Sequence, residues 1–416
     1  MKFKKLIVLL AVSMIAILGL AACGGTGTGS KAQNVVEIQT DKSGESNNAK
    51  EALPIMKKKS GLDLKYVPTP DYSAYQTSIQ QSLSTKKAPA LFTWWTGSQM
   101  DNLVENDLLE DLTEEWENYY IKNGVNEEIA KSLTIDGKIY GAPLNIIYNG
   151  VFYNKEIFAK YNLEEPDTFD DFIKICDTLL DNGVTPIGIG NTWQSFVWPM
   201  ALMGSMDADL YDEWTEGKAK FTDERVKAVF YKWSDMLAKG YFSEQQQDQV
   251  KDFATGEVAM IYNATNLLSG FAEDYGFISG EDIDMFTLPS MDDGNKPTVF
   301  YEVAPILVGK NSKDKEQGIK ILRSYYDQDV QQAYADVSGM ASVSSVNLKD
   351  PISKQITEEA NDTENFNLKL RYYEQFLPEI INLSIDEYWK IAADPSEKQV
   401  DSSLEAIQAE QDKLNP

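Results

Sequence analysis

From residue 35 onward, short apolar runs alternate with amphipathic stretches, and this alternation limits the possible folds more than any other feature. Val35–Thr40 (VVEIQT) reads as a strand, 49–59 has helical spacing ended by Gly61, and 62–67 (LDLKYV) is a second strand closed by PTPD. Tyr72–Leu83 is helical again and 89–94 is a third strand. Ser98 stands as an N-cap before a helix carrying Met100, Leu103, Val104 and Leu108. Parallel strands need crossover connections, and crossover helices cover both faces of the sheet. The chain is therefore expected to be α/β, with mostly parallel sheet flanked by helices. Ligands of such sheets bind beyond the carboxyl ends of the strands, so the residues that follow each strand are the place to look for a site.

The third strand ends in ALFTWWTGSQ, with Trp94 and Trp95 adjacent. Successive strand residues point to opposite faces. One indole can pack inside while the other walls a crevice, and the sequence leaves open which does which.

The N-terminus has lysines at 2, 4 and 5, an apolar run over 6–20 and then LAAC ending at Cys23. This is the pattern of a secretory signal, expected over 1–22. It also resembles a bacterial lipoprotein signal, which implies lipidation of Cys23. The Gly-, Ser- and Thr-rich residues up to 34 are expected to form a flexible tether reaching at most ~35 Å. Removing the three lysines moves the formal charge from −27 to −30, which argues against nucleic acid or an anionic lipid surface as partner. Cys176 is then the one remaining cysteine, so no intrachain disulfide is expected. It shares a helical face with Phe169, Phe172, Ile173 and Leu180 and reads as a small buried hydrophobe. The chain has no histidine, which excludes His-based triads, zinc sites and proton shuttles. Roughly 390 remaining residues exceed one core and suggest two domains.

Further strand and helix patterns follow at 169–180, 225–238, 251–261, 285–289, 303–309 and 314–326, before an acidic helical end over 361–414. Several segments resemble family 1 extracellular solute-binding proteins, relatives of maltose-binding protein that serve ATP-driven sugar importers. They are PALFTWWTG, NDLLEDLTEEW, the IDGKIYGAP…FYNKE run from Ile135 to Glu156, FATGEVAM from Phe253 to Met260, and VAPILVGKNS from Val303. The resemblance covers nearly the whole mature chain, in the expected order. It implies a two-lobed, class II periplasmic-binding-protein fold with the ligand cleft between the lobes. Lobe 1 is expected over 35–144 and 290–338, and lobe 2 over 145–289 and 339–416, with crossings near 142–145, 287–290 and 339–342.

The same resemblance implies a monomeric binding lipoprotein on the extracytoplasmic face of the cell membrane. It would capture a mono- or oligosaccharide by hinge closure and deliver it to permease subunits, with no cofactor, metal or catalysis. A sugar offers apolar C–H faces and a rim of hydroxyls, so its site needs aromatic rings beside amides and acids. At the family's cleft positions the expected binding residues are Asp71, Tyr72, Trp94, Trp95, Asn145, Tyr148, Trp193, Gln194, Asn263, Asn266, Tyr301 and Glu302. Asn266 departs from the tryptophan many relatives carry there. Asp71 is equally suited to capping the helix that follows it. The alternatives are a lipid-anchored carbohydrate-active enzyme, or a binder of a polyamine or ferric iron. A glycosidase would need two carboxylates about 5–10 Å apart across a cleft, and no spacing designates such a pair.

Overall fold

The computed structural model describes residues 34–414 except 191–193, 246–247 and 293, together with the side chains of all but a few of them. The expected signal peptide, Cys23, most of the tether and Trp193 lie outside the described residues, as does the side chain of Tyr72.

Eleven strands are present among the described residues: β1 Val35–Thr40, β2 Asp63–Pro68, β3 Leu91–Thr93, β4 Thr134–Ile135, β5 Lys138–Ile139, β6 Gly141–Asn154, β7 Thr185–Gly188, β8 Val258–Ala264, β9 Ile283–Phe286, β10 Thr298–Val308 and β11 Asn367–Leu370. The main sheet runs β2-β1-β3-β10-β6-β8-β7, with β11 beside β10 and β9 beside β6. The outer pairs β1–β2, β1–β3 and β7–β8 are parallel, as their helical crossovers require. The two long central strands, β6 and β10, are antiparallel to each other. Each joins the two ends of the sheet: β10 pairs with β3 at one end, and β6 with β8 and β9 at the other.

Where β6 and β10 cross the middle of the molecule, Pro143 stands opposite Pro305 and the register shifts between Ala304 and Pro305. Neither proline has an N–H to give, so the ladder is interrupted there. The freed carbonyls are taken up from the side. Tyr326 Oη donates to Pro143 O at 2.7 Å, while Tyr325 Oη and Ser342 Oγ donate to Leu144 O. The Tyr325-Tyr326 pair thus supplies in hydroxyls what the prolines removed in amides.

Two apolar clusters fill the interior. One gathers Ile38, Leu91, Phe92, Trp94 and Leu307; the other gathers Phe172, Trp198, Trp214, Trp233 and Tyr372. The helix Phe169–Asp181 starts on Thr168, whose Oγ1 accepts from Asp171 N at 3.2 Å. It buries Phe169, Phe172, Ile175, Cys176 and Leu179. That face is rotated by about one residue from the expected one: Leu180 is exposed and Ile173 only partly buried. The Cys176 thiol is fully buried, and burial holds its pKa well above the usual thiol range. The expected N-cap at Ser98 falls one residue earlier, at Gly97.

Candidate functional site

The end of β3 settles which indole goes where. Trp94 follows Phe92 into the core and is 2% exposed. Its ring lies edge-on to Phe92 at 6.0 Å, and its Nε1 donates to Gln99 O at 3.3 Å. Trp95 lies beside it and partly exposed, just beyond the end of β3, with its ring 5.1 Å from that of Trp94 and 6.2 Å from that of Tyr75.

Trp95 walls a cavity of about 260 Å³. Thr96 and Gln99 line it on the same side, and Tyr373, Glu374 and Asn382 line it from the C-terminal segment. Phe376, Pro378 and Ile381 give it an apolar floor. Thr96 is 4% exposed, and its Oγ1 has no hydrogen-bond partner among the described residues. A buried hydroxyl left unpaired is costly unless something else reaches it.

Glu374 reaches this place through a short 3-10 turn, Tyr372–Glu374, which follows β11. Tyr372 anchors that turn from within the core, donating from Oη to Ser384 Oγ at 2.7 Å. Arg371 N donates to Tyr301 O at 2.9 Å, tying the turn to β10. The Arg371 guanidinium then serves two acids. Nε donates to Glu374 Oε2 at 3.0 Å, Nη2 to its other oxygen, and Nη1 pairs with Glu302. The three side chains are 16%, 9% and 22% exposed for Arg371, Glu374 and Glu302. One cation between two carboxylates leaves one net negative charge beside the cavity. Burial raises the Glu374 carboxyl above its ordinary value, with Arg371 opposing that rise.

The expected binding residues divide clearly. Trp95 lines the cavity, and Glu302 is tied to it through Arg371. Trp94 is core. Asp71 is exposed and caps its helix, accepting from Ala74 N at 2.7 Å. Asn145 is buried within β6: its Nδ2 donates to Tyr334 Oη at 3.2 Å, and that hydroxyl donates to Glu45 Oε2 at 2.9 Å. Tyr148 and Tyr301 face each other across β6 and β10, both buried. Burial, despite a bond with Ser132, pushes the Tyr301 phenol up to about 12. Gln194 is buried and accepts from Gln249 Nε2 at 2.6 Å. Asn263 is half-buried with its Oδ1 on Ala264 N at 2.8 Å, and Asn266 is exposed. None of Asp71, Asn145, Tyr148, Gln194, Asn263, Asn266 and Tyr301 lines this cavity.

Sequence reasoning did not single out Thr96, Gln99, Tyr373, Glu374 and Asn382 around this cavity, nor Arg371 behind it. Two of these lie within the ALFTWWTGSQ stretch itself. For Arg371, Tyr373 and Glu374, the available signal was RYYE: an arginine and a glutamate three residues apart, flanking two tyrosines.

Residues 52–360 match the family described as bacterial extracellular solute-binding protein. An uncharacterized ABC transporter extracellular-binding protein of Pyrococcus horikoshii is 23% identical over 328 residues, 74% of this chain and 70% of that protein. Another from the same organism is 29% identical over 188 residues, and this match spans 43% of that relative's length and 41% of this chain. Among solved structures, the bacterial solute receptor AcbH, described as having an exclusive preference for β-D-galactopyranose, superposes with a TM-score of 0.75 at 16% identity, over 91% of this chain and 99% of that one. RafE in complex with raffinose gives 0.70 at 18% identity, over 90% and 98%. These likenesses show the two-lobed solute-binding fold.

Proposed function

The chain belongs to the bacterial extracellular solute-binding proteins, and from that premise we propose that it captures an uncharged mono- or oligosaccharide between two lobes and delivers it to the permease of an ATP-driven importer. The observation that carries this reading is the buried, unpartnered Thr96 hydroxyl beside the Trp95 ring, opposite Glu374 and Asn382. An indole suits the C–H face of a sugar, while the hydroxyl, amide and carboxylate suit its rim. Among the described residues, no lysine or arginine lines the cavity. A sugar acid would meet the net negative charge of the Glu302–Arg371–Glu374 group, so an anionic ligand is disfavoured. Both of those carboxylates are engaged by one guanidinium, which makes them fixed acceptors and favours binding over hydrolysis. The names of similar proteins, among them a multiple sugar-binding protein of Streptococcus mutans, support the same class of ligand.

The division of lobes near residue 144 is supported by the Pro143–Pro305 interruption. On the return, Met291 N donates to Ser205 O and Thr298 Oγ1 to Gly204 O, both at 2.8 Å. These bonds favour a crossing along β10 at the Ala304–Pro305 bulge, later than residue 290. Attachment to the membrane through Cys23 rests on the leader sequence.

The test is a thermal-shift screen over uncharged mono- and oligosaccharides, with spermidine and ferric citrate alongside. A ligand selective for the native state raises the melting point. The reading holds if an uncharged sugar does so, and fails if only the charged compounds do. Thr96→Val provides a finer check. Removing the hydroxyl is expected to weaken sugar binding by roughly tenfold, from about 1–1.5 kcal/mol for one hydrogen bond. The ligand-free protein should be no less stable, because that hydroxyl has no partner to lose. Calorimetric titration and urea unfolding read the two effects separately.

A further inference from the structure

The two sides of the cleft approach closely where Gly97 meets the carbonyl of Glu374. A Cβ built on Gly97 would lie 2.3 Å from Glu374 O and 3.3 Å from its carbonyl carbon. Neither side can easily give way. Gly97 is fixed between Trp95-Thr96 and the helix Ser98–Glu105, at φ 70° and ψ −152°, a region open essentially to glycine alone. The Glu374 turn is held by Arg371 and by the buried Tyr372 hydroxyl. Cavities lie on both sides of this contact. The one walled by Trp95 and Thr96 is about 260 Å³. The other, about 330 Å³, is lined by Gly97, Met100 and Asp101 facing Thr215, Glu216 and Gln375. Both share Glu374 and Phe376, so the Gly97–Glu374 contact forms a waist between them.

We propose that Gly97 is the stop against which the lobes close, and that its missing side chain allows the cleft to shut far enough to hold its ligand. This rests on the capture reading above. Any side chain at residue 97 would strike backbone, not a movable side-chain tip, and would keep Thr96 and Glu374 too far apart to bind one sugar together. Gly97 is therefore a positioning residue: it acts through the approach it permits.

The experiment compares Gly97→Ala with Gly61→Ala. Gly61 also has a positive φ, 71°, but a Cβ there meets nothing within 4 Å. With ψ 11° it lies in the αL region, which alanine enters at lower cost than the Gly97 conformation, so the stop is read from contraction at saturation and not from lost stability. Each protein is titrated with D-galactose, raffinose, maltotriose and xylotriose by calorimetry, and its radius of gyration is followed by small-angle X-ray scattering. Wild type and Gly61→Ala are expected to contract on binding. Gly97→Ala is expected to bind at least tenfold more weakly and to stay expanded at saturation. Equal contraction and equal affinity in Gly97→Ala would overturn the proposal while leaving the capture reading intact. A wild type that contracts with none of the four sugars would overturn the capture reading and this proposal with it. Should Gly97→Ala fail to fold, the crystal structure of the wild-type complex decides. Direct contact between Gly97 and Glu374 O supports the stop, and a layer of water between them overturns it.

Discussion

Alanine in place of Trp95 is expected to weaken sugar binding by roughly 30- to 1,000-fold, about 2–4 kcal/mol, the range of a central aromatic anchor. The fold should survive, because Trp95 is already partly exposed at the cavity wall. Its neighbour is expected to behave in the opposite way. Trp94 is buried against Phe92 and Tyr75, so Trp94→Ala should cost about 3–5 kcal/mol of stability through the cavity it leaves. Any loss of affinity in that variant should be secondary. Urea unfolding and calorimetric titration of both variants check this. Equal losses of affinity, or a larger stability loss at Trp95, would mean that the two rings have been assigned the wrong way round.

Replacing Arg371 by methionine is expected to be strongly destabilising. The guanidinium pairs with two largely buried carboxylates, and removing one partner of such a group costs about 3–5 kcal/mol because the charges left behind stay buried. The effect should depend on pH, with a sign fixed by Glu374. Burial already raises its carboxyl, and in the variant no guanidinium opposes that rise. A carboxyl with a folded pKa above its unfolded one favours the folded state when protonated, and that contribution is lost as pH rises through the folded pKa. The deficit of Arg371→Met relative to wild type should therefore be largest near pH 8 and shrink toward pH 5. Adding Glu374→Gln should recover part of it at pH 8. Urea unfolding across that interval gives the comparison, and a deficit that grows on acidification would contradict the assigned role.

Much of this molecule can be read from local pattern. The strands at 35–40, 62–67 and 89–94 follow from apolar runs bounded by Gly and Pro, and the structure places strands there. The adjacent tryptophans do divide between core and cavity wall, but both lie beyond the end of β3 with their rings 5.1 Å apart, so strand alternation does not set the division. The remainder of the site is non-local. Glu374 lies far along the chain from Trp95, and only the packing of the Tyr372–Glu374 turn against Gly97 brings the two together. No periodicity encodes that meeting. Several polar residues expected at the cleft also have nearer partners. Asp71 caps the helix beside it, and Gln194 bonds Gln249. Asn145 is held in a buried chain with Tyr334 and Glu45, which joins β6 to a helix nearly two hundred positions later. The long central strands were the hardest to foresee: β6 is buried along its full length and carries little alternation to read.

The central claim, that two halves of this chain enclose one uncharged sugar at Trp95, Thr96 and Glu374, is tested most directly by a crystal structure of the protein grown with the sugar that the thermal-shift screen selects. The expected electron density shows a sugar ring lying flat on the Trp95 indole, with one hydroxyl within hydrogen-bond distance of Thr96 Oγ1 and another within reach of the Glu374 carboxylate. A sugar bound elsewhere, with the Trp95 cavity filled only by solvent, would contradict it.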